Sequence, residues 1–277
     1  MKRKYTLAFI SIVIFCFLLY LLYLFLFGSL FPFSPLVFGF QKHELNNIIV
    51  YIQNGSTFKD YQVIDTYPGE VESFLDLKFS KKPKIYIFSD RNSYLERAKT
   101  KARFIAYPNR SIMISPWAIK DAQDGTISLE IYMKHELSHI LLYQNMGFIA
   151  DLRYPKWLLE GIAMYTSNQL GTSLYPSKSQ VYELIQKGNY FPPQFYETSQ
   201  KDDIQLDVEN RVTFMYSEFA CIVNFLIERY GREKFHQYMT GLMVNKNHDN
   251  LFKKIYNISF TDFQDEFIEH VKNNAFK

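Results

Sequence analysis

The chain has 277 residues, 48% of them hydrophobic, and a net charge of +3 from 31 basic and 28 acidic side chains. With an apolar N-terminus set aside, about 230–240 residues remain, enough for one well-buried domain or one domain with two lobes. The basic residues are scattered, which excludes the clustered Lys and Arg face of a nucleic-acid binder. The two cysteines, Cys16 and Cys221, fit neither a C-x-x-C spacing nor an internal bridge, because Cys16 lies inside the apolar run.

Lys2, Arg3 and Lys4 precede an uncharged run from Tyr5 to Gln41, most apolar from Leu7 to Phe27. At about 1.5 Å per residue that core crosses a hydrocarbon layer of about 30 Å. The positive-inside rule leaves the N-terminus in the cytoplasm and everything after the run outside, as a single-pass plasma-membrane protein. A cleaved signal peptide is the competing reading. Its apolar core would be shorter, and Gly28-Ser29-Leu30-Phe31-Pro32 matches a small-residue cleavage site poorly. The division expected is a basic tail over 1–4, an anchor over 5–28, a juxtamembrane linker over 29–45 and a folded domain over 46–277, sheet-containing to about 147 and helical beyond.

Within that domain, Lys42 to Gln53 reads as a short helix stopped near Asn54-Gly55, and Pro68 to Leu77 as another. Lys84 to Phe88 is a strand by its β-branched and aromatic content, and Arg103 to Ser115 is one or two strands around Pro108-Asn109. Gly125-Thr126 opens a long helical pattern to about Asn145, with Gly147 as a stop. Pro155 opens a second helix that carries Trp157 to about Ser167. Polar loop with Pro176, Pro192 and Pro193 follows. From Arg211 two helices are broken near Tyr230-Gly231, and Phe260 to Val271 forms a last amphipathic helix. Sheet first and helices after predicts an α+β fold.

Residues 135–139 read H-E-L-S-H. Positions four apart share a helix face, so both imidazoles can reach one ion. Glu136 lies about 100° further round, placed to reach the attacking water as general base without binding the ion. Catalytic zinc takes three protein ligands and keeps one position open. Glu160, in P-K-W-L-L-E-G-I-A-M-Y (155–165), lies twenty-one positions after His139 on the second helix. If that helix folds back on the first, Glu160 completes a His-His-Glu site, and Gly161 would let the two helices approach closely.

H-E-L-S-H followed by W-L-L-E-G-I-A-M-Y resembles the gluzincins, the zinc metallopeptidases of the peptidase MA-like group, among them thermolysin-like and aminopeptidase N-like enzymes. The resemblance implies a gluzincin-type catalytic domain, a small sheet packed on the H-E-x-x-H helix with a C-terminal helical lobe. It implies one Zn2+ per chain held by His135, His139 and Glu160, with Glu136 as general base. The segment F-M-Y-S-E-F-A-C-I-V-N-F-L-I-E-R-Y-G (214–231) resembles the family helix after the metal site, which makes Tyr216 the candidate donor to the oxyanion of the tetrahedral intermediate. His236, downstream, is most simply a surface residue. An edge strand within 103–115 would align the substrate backbone by β-augmentation.

Two departures from the family stand out. No G-x-M-E-N segment is present to grip a substrate's free amine, which points to an endopeptidase rather than an aminopeptidase. Four residues after Glu160, where thermolysin-like enzymes place an acidic orienter of a ligand histidine, stands Met164. The partners expected are a peptide or protein substrate and a membrane, with no nucleic acid. The alternatives left open are an inactive gluzincin-like scaffold acting as a tethered binding module, and hydrolysis of a non-peptide amide in the envelope.

Overall fold

The computed structural model describes residues 2–147, 152–244 and 247–274. The first element is helix α1 (Lys2–Phe27). Its stretch Phe9–Phe27 is long and apolar enough to cross a membrane, and none of that stretch is buried in the protein.

Strands β1 (Phe40–Glu44), β2 (Ile49–Gln53), β3 (Lys84–Ile87), β4 (Phe104–Tyr107) and β5 (Ser111–Ile114) form one sheet in the order β1-β2-β3-β5-β4. The three central strands are parallel, and β1 and β4 are antiparallel edges. Central parallel strands need cover on both faces, and the alternation in K-I-Y-I-F supplies it. Ile85 and Ile87 join the main core beneath the helices, whereas Tyr86 and Phe88 face a second cluster with Met113 and Tyr94. Tyr94 belongs to helix α3 (Arg91–Ala98), which caps this second face.

Lys42 to Gln53 departs from the expected helix and forms the β1–β2 hairpin. Ile48, Ile49, Val50 and Ile52 are β-branched and favour a pleated surface. The turn at Asn46-Asn47 is held by the Asp65 carboxylate, which accepts from the backbone N–H groups of Asn46, Asn47 and Ile48 at 3.2, 2.8 and 3.2 Å.

The stretch expected as a juxtamembrane linker is also put to different use. It contributes β1, and it buries Phe31 completely against Phe40 and Tyr86, with ring centroids 5.7 and 5.2 Å away. The Arg97 guanidinium lies 4.8 Å from the Phe31 ring and 5.3 Å from that of Phe27. Tyr23 donates to Glu96 at 3.2 Å, and the Pro32 carbonyl accepts from the Ser111 hydroxyl at 3.3 Å and from the Asn109 amide. Phe31 is an aromatic in an aromatic-rich run, and its burial is decided by the sheet face it meets rather than by local pattern.

The helices that follow are α2 (Tyr67–Leu75), α4 (Pro116–Gln123), α5 (Leu129–Asn145), α6 (Lys156–Thr166), α7 (Lys178–Gln186), α8 (Arg211–Tyr230), α9 (Arg232–Val244), α10 (His248–Tyr256) and α11 (Phe260–Asn274). Four of the short helices, α3, α4, α7 and α10, lie in stretches read as loop, or left unread, in the sequence. Each carries an N-cap side chain that accepts from the first turn: Asp90, Ser115, Ser177 and Asn247. The resulting α+β arrangement, a small sheet under α5 with a helical lobe behind, matches the expected fold class.

α6 crosses α8 unusually closely. A Cβ on Gly161 would stand 2.7 Å from the Phe219 carbonyl oxygen and 2.9 Å from its carbon. The close approach that Gly161 permits is therefore to α8, not to the H-E-L-S-H helix as expected from the sequence.

Candidate metal centre

α5 starts where Ser128 accepts from the Ile131 N–H at 3.3 Å. It carries Met133, Leu137, Ile140 and Leu141 into the core. That burial rotates His135, Glu136 and His139 toward the cleft between α5, α6 and strand β4, where all three are at least nine-tenths buried. α6 is clamped from behind by Trp157, which meets Phe219 at 6.3 Å and stacks on Phe260 at 5.5 Å. Glu160 consequently faces the two histidines.

The three candidate ligand atoms converge. Nε2 of His135 and Nε2 of His139 are 3.1 Å apart, and Oε2 of Glu160 lies 3.5 Å from the first and 3.6 Å from the second. Ligands at about 2.0–2.1 Å from a tetrahedral zinc are separated by about 3.3–3.4 Å, so the trio fits the face of a tetrahedron around one such ion. His135, His139 and Glu160 form a group able to hold a metal.

Burial would raise the Glu160 carboxyl, but the adjacent imidazoles outweigh it and hold the group below the ordinary carboxylate range. Glu136 behaves oppositely. Burial pushes it up to about 7, helped by the negative charge of Glu160, while His135 and the backbone N–H of Ala106 pull the other way. Two carboxyls in one cleft are thus driven apart, one held ionised and one pushed toward neutrality.

Gln169 fills the role that Met164 cannot. Its side-chain oxygen lies 2.8 Å from Nδ1 of His135, which fixes the proton on Nδ1 and leaves Nε2 free to ligate. Thr166 ends α6, Asn168 takes a left-handed turn at φ 55°, and the Gln169 N–H returns to the Met164 carbonyl at 3.1 Å. The sequence reading missed this residue. The available signal was an Asn just past a helix end, where the chain reverses. His139 Nδ1 has no hydrogen-bond partner among the described residues.

The cleft encloses about 500 Å³ and is walled by Tyr132, Tyr143, Tyr175 and Tyr216, with Asn210 and Thr213 at its α8 side. Tyr216 accepts from the Tyr196 hydroxyl at 3.2 Å. Burial, then the charge of Glu160, pushes its phenol well above the ordinary value, so it stays a protonated donor. His236 lies elsewhere, near the Asp76 carbonyl on a separate surface hollow.

β4 forms the cleft's other wall. Ser115 N–H bonds the Arg103 carbonyl, and the β4–β5 register continues that ladder through Ile105 and Tyr107. The backbone groups of Phe104 and Ala106 therefore point away from β5. They line the cleft, and the N–H of Ala106 is directed to Glu136.

Comparison with known proteins bears on the whole of this region. A sequence model of the family described as the Peptidase MA superfamily matches residues 82–273. No curated protein matches. Among solved structures, the chain is similar to an M1 zinc metallopeptidase from Deinococcus radiodurans, determined as a mutant bound to a Tyr-Ser-Ala substrate. Identity is 11% and the TM-score 0.45, over 83% of this chain and 50% of that one. The chain thus spans about half the length of that enzyme.

Proposed function

Since the chain belongs to the Peptidase MA superfamily, we propose that it is a zinc-dependent peptidase in which His135, His139 and Glu160 hold the metal and Glu136 is the general base. The observation that carries this reading is the convergence of three ligand atoms within 3.1–3.6 Å of one another, with a second, differently tuned carboxyl beside them. Zinc, when bound, supplies Lewis-acid polarisation of the substrate carbonyl and lowers the pKa of water toward neutrality.

The remaining work falls to side chains. Glu136 takes the proton of the attacking water and delivers it to the departing amine. Tyr216, kept protonated and backed by Tyr196, donates to the oxygen that gains charge as the tetrahedral intermediate forms. The outward groups of Phe104 and Ala106 align an extended peptide along the edge of the sheet. Gln169 holds His135 in its ligating tautomer.

We further propose endopeptidase action. Glu136 and Glu160 are the carboxylates among the described residues lining the cleft, and both are assigned to the metal and the water in this reading, so none of those residues offers a further acid to a substrate's free α-amine. We also read α1 as an uncleaved anchor, with a cytoplasmic basic tail and the catalytic unit outside the membrane. The length and apolarity of Phe9–Phe27 support this.

The test is zinc stoichiometry and peptide cleavage by the full chain and by Glu136→Gln. About one zinc per chain in both proteins, with cleavage in the first and a loss of about 10²–10⁴-fold in the second, is the expected result. Unimpaired cleavage by the variant would overturn the mechanism, and the absence of cleavage of any peptide by the zinc-loaded native chain would overturn the peptidase reading.

A further inference from the structure

We propose that Arg103 is a specificity residue that selects substrates carrying a carboxylate, either an acidic side chain or a free C-terminus. The inference rests on the peptidase reading and names the substrate class for it.

Arg103 is the one Lys or Arg among the described residues lining the cleft. It stands at the head of the edge strand, directly before Phe104 and three residues from Ala106, whose N–H meets Glu136. At about 3.3–3.4 Å per residue in a strand, its backbone lies about 10 Å along the strand from the general base. An extended peptide lying on β4 would run the two or three residues beyond its reacting bond past Arg103.

The guanidinium is held ready. Asp121 on α4 takes the Nε proton at 2.7 Å, which orients the planar group through one edge. The end-on fork of Nη1 and Nη2 faces no acceptor among the described residues, and the side chain is 37% exposed. That fork matches a carboxylate in bidentate fashion. Tyr132 and Tyr175 line the same part of the cleft, and the charge of Arg103 acts on both their hydroxyls. Their rings stand beside the cation on that side of the cleft. The cleft is therefore asymmetric. Among its described lining residues it offers no further acid for a substrate amine and one cation for a substrate carboxylate.

The test uses the full chain in detergent, zinc-loaded, and N-terminally acetylated peptide libraries read by mass spectrometry. One arm carries Asp and Glu against Asn and Gln at each position, with C-terminal amides throughout. The other compares C-terminal carboxylates with amides on neutral sequences. The native chain should favour carboxylate-bearing members in one arm by about 10- to 100-fold in kcat/KM, the range of a charge-assisted hydrogen-bonded contact. The arm in which this appears identifies the source of the carboxylate. Arg103→Gln should bring that ratio near one, and Arg103→Glu should turn it below one, against the carboxylate-bearing members. Zinc content and melting temperature report whether each variant is folded. Cleavage by the native chain with no carboxylate preference, or a preference unchanged in both folded variants, overturns the inference and leaves the peptidase reading standing. Cleavage of nothing by the native chain overturns both.

Discussion

The side-chain oxygen of Gln169 lies 2.8 Å from Nδ1 of His135, and this contact reaches from the loop after one helix to the histidine on another. It sets the tautomer of the ring and thereby the lone pair on Nε2. Replacing Gln169 by Leu removes the acceptor while keeping the bulk. Zinc affinity should fall about 10- to 100-fold, measured by competition with a chromophoric chelator. Unchanged affinity would mean that His135 needs no partner beyond its packing.

The pH dependence follows from Glu136. Its carboxyl is raised to about 7 by burial, and only the ionised form accepts a proton. Activity therefore falls as the pH is lowered through that region, by about tenfold from pH 8 to pH 6 for a group titrating at 7. A cation in the His-His-Glu site favours the ionised form and moves the limb to lower pH. A kcat/KM profile rising steadily from pH 8 to pH 5 would contradict the assignment of Glu136 as base.

Tyr216→Phe deletes a single proton from the cleft. With Tyr216 as the oxyanion donor, kcat should fall about 10²–10³-fold with KM and zinc content little changed. Tyr196→Phe, which removes only the hydroxyl that donates to Tyr216, should show a smaller loss in the same parameter. If KM rather than kcat moves in Tyr216→Phe, the residue binds substrate instead.

Gly161→Ala places a methyl group 2.7 Å from the Phe219 carbonyl oxygen. Backbone on both sides leaves no flexible side chain to yield, so α6 and α8 must separate. Overpacking of this kind costs about 1–3 kcal/mol, read as a melting temperature lower by about 2–10 °C in a chain of this size. Glu160, the neighbouring residue, should lose alignment with the histidines, so zinc affinity should fall together with stability.

The convergence of His135, His139 and Glu160 was legible because H-E-L-S-H and L-L-E-G are local patterns on helices whose period sets which residues share a face. Gln169 was not, because its position depends on a left-handed turn at Asn168 and a return to Met164, a path that no period encodes. The β1–β2 hairpin was misread although Ile48, Ile49, Val50 and Ile52 favour a strand. What closes its turn is Asp65, eighteen residues past Asn47. Gly161 was rightly singled out for a close approach, but the partner, Phe219, could be identified only once α8 was in place. The short capped helices α3, α4, α7 and α10 show the converse case. Their caps were visible, but each helix is only eight or nine residues long, about two turns, too short for a period to stand out.

Phe31 turns a chain of helix and domain into one lever. Four positions separate its ring from Phe27, the last residue of α1, and both rings sit against Arg97. On the membrane reading, so short and stiff a neck fixes the elevation and bearing of the cleft above the lipid. A swinging tether would let the catalytic unit search a hemisphere; this one samples a single shell. Which bonds are cut would then depend on how far they stand from the bilayer as well as on the residues around them, and the molecule would measure as it cuts.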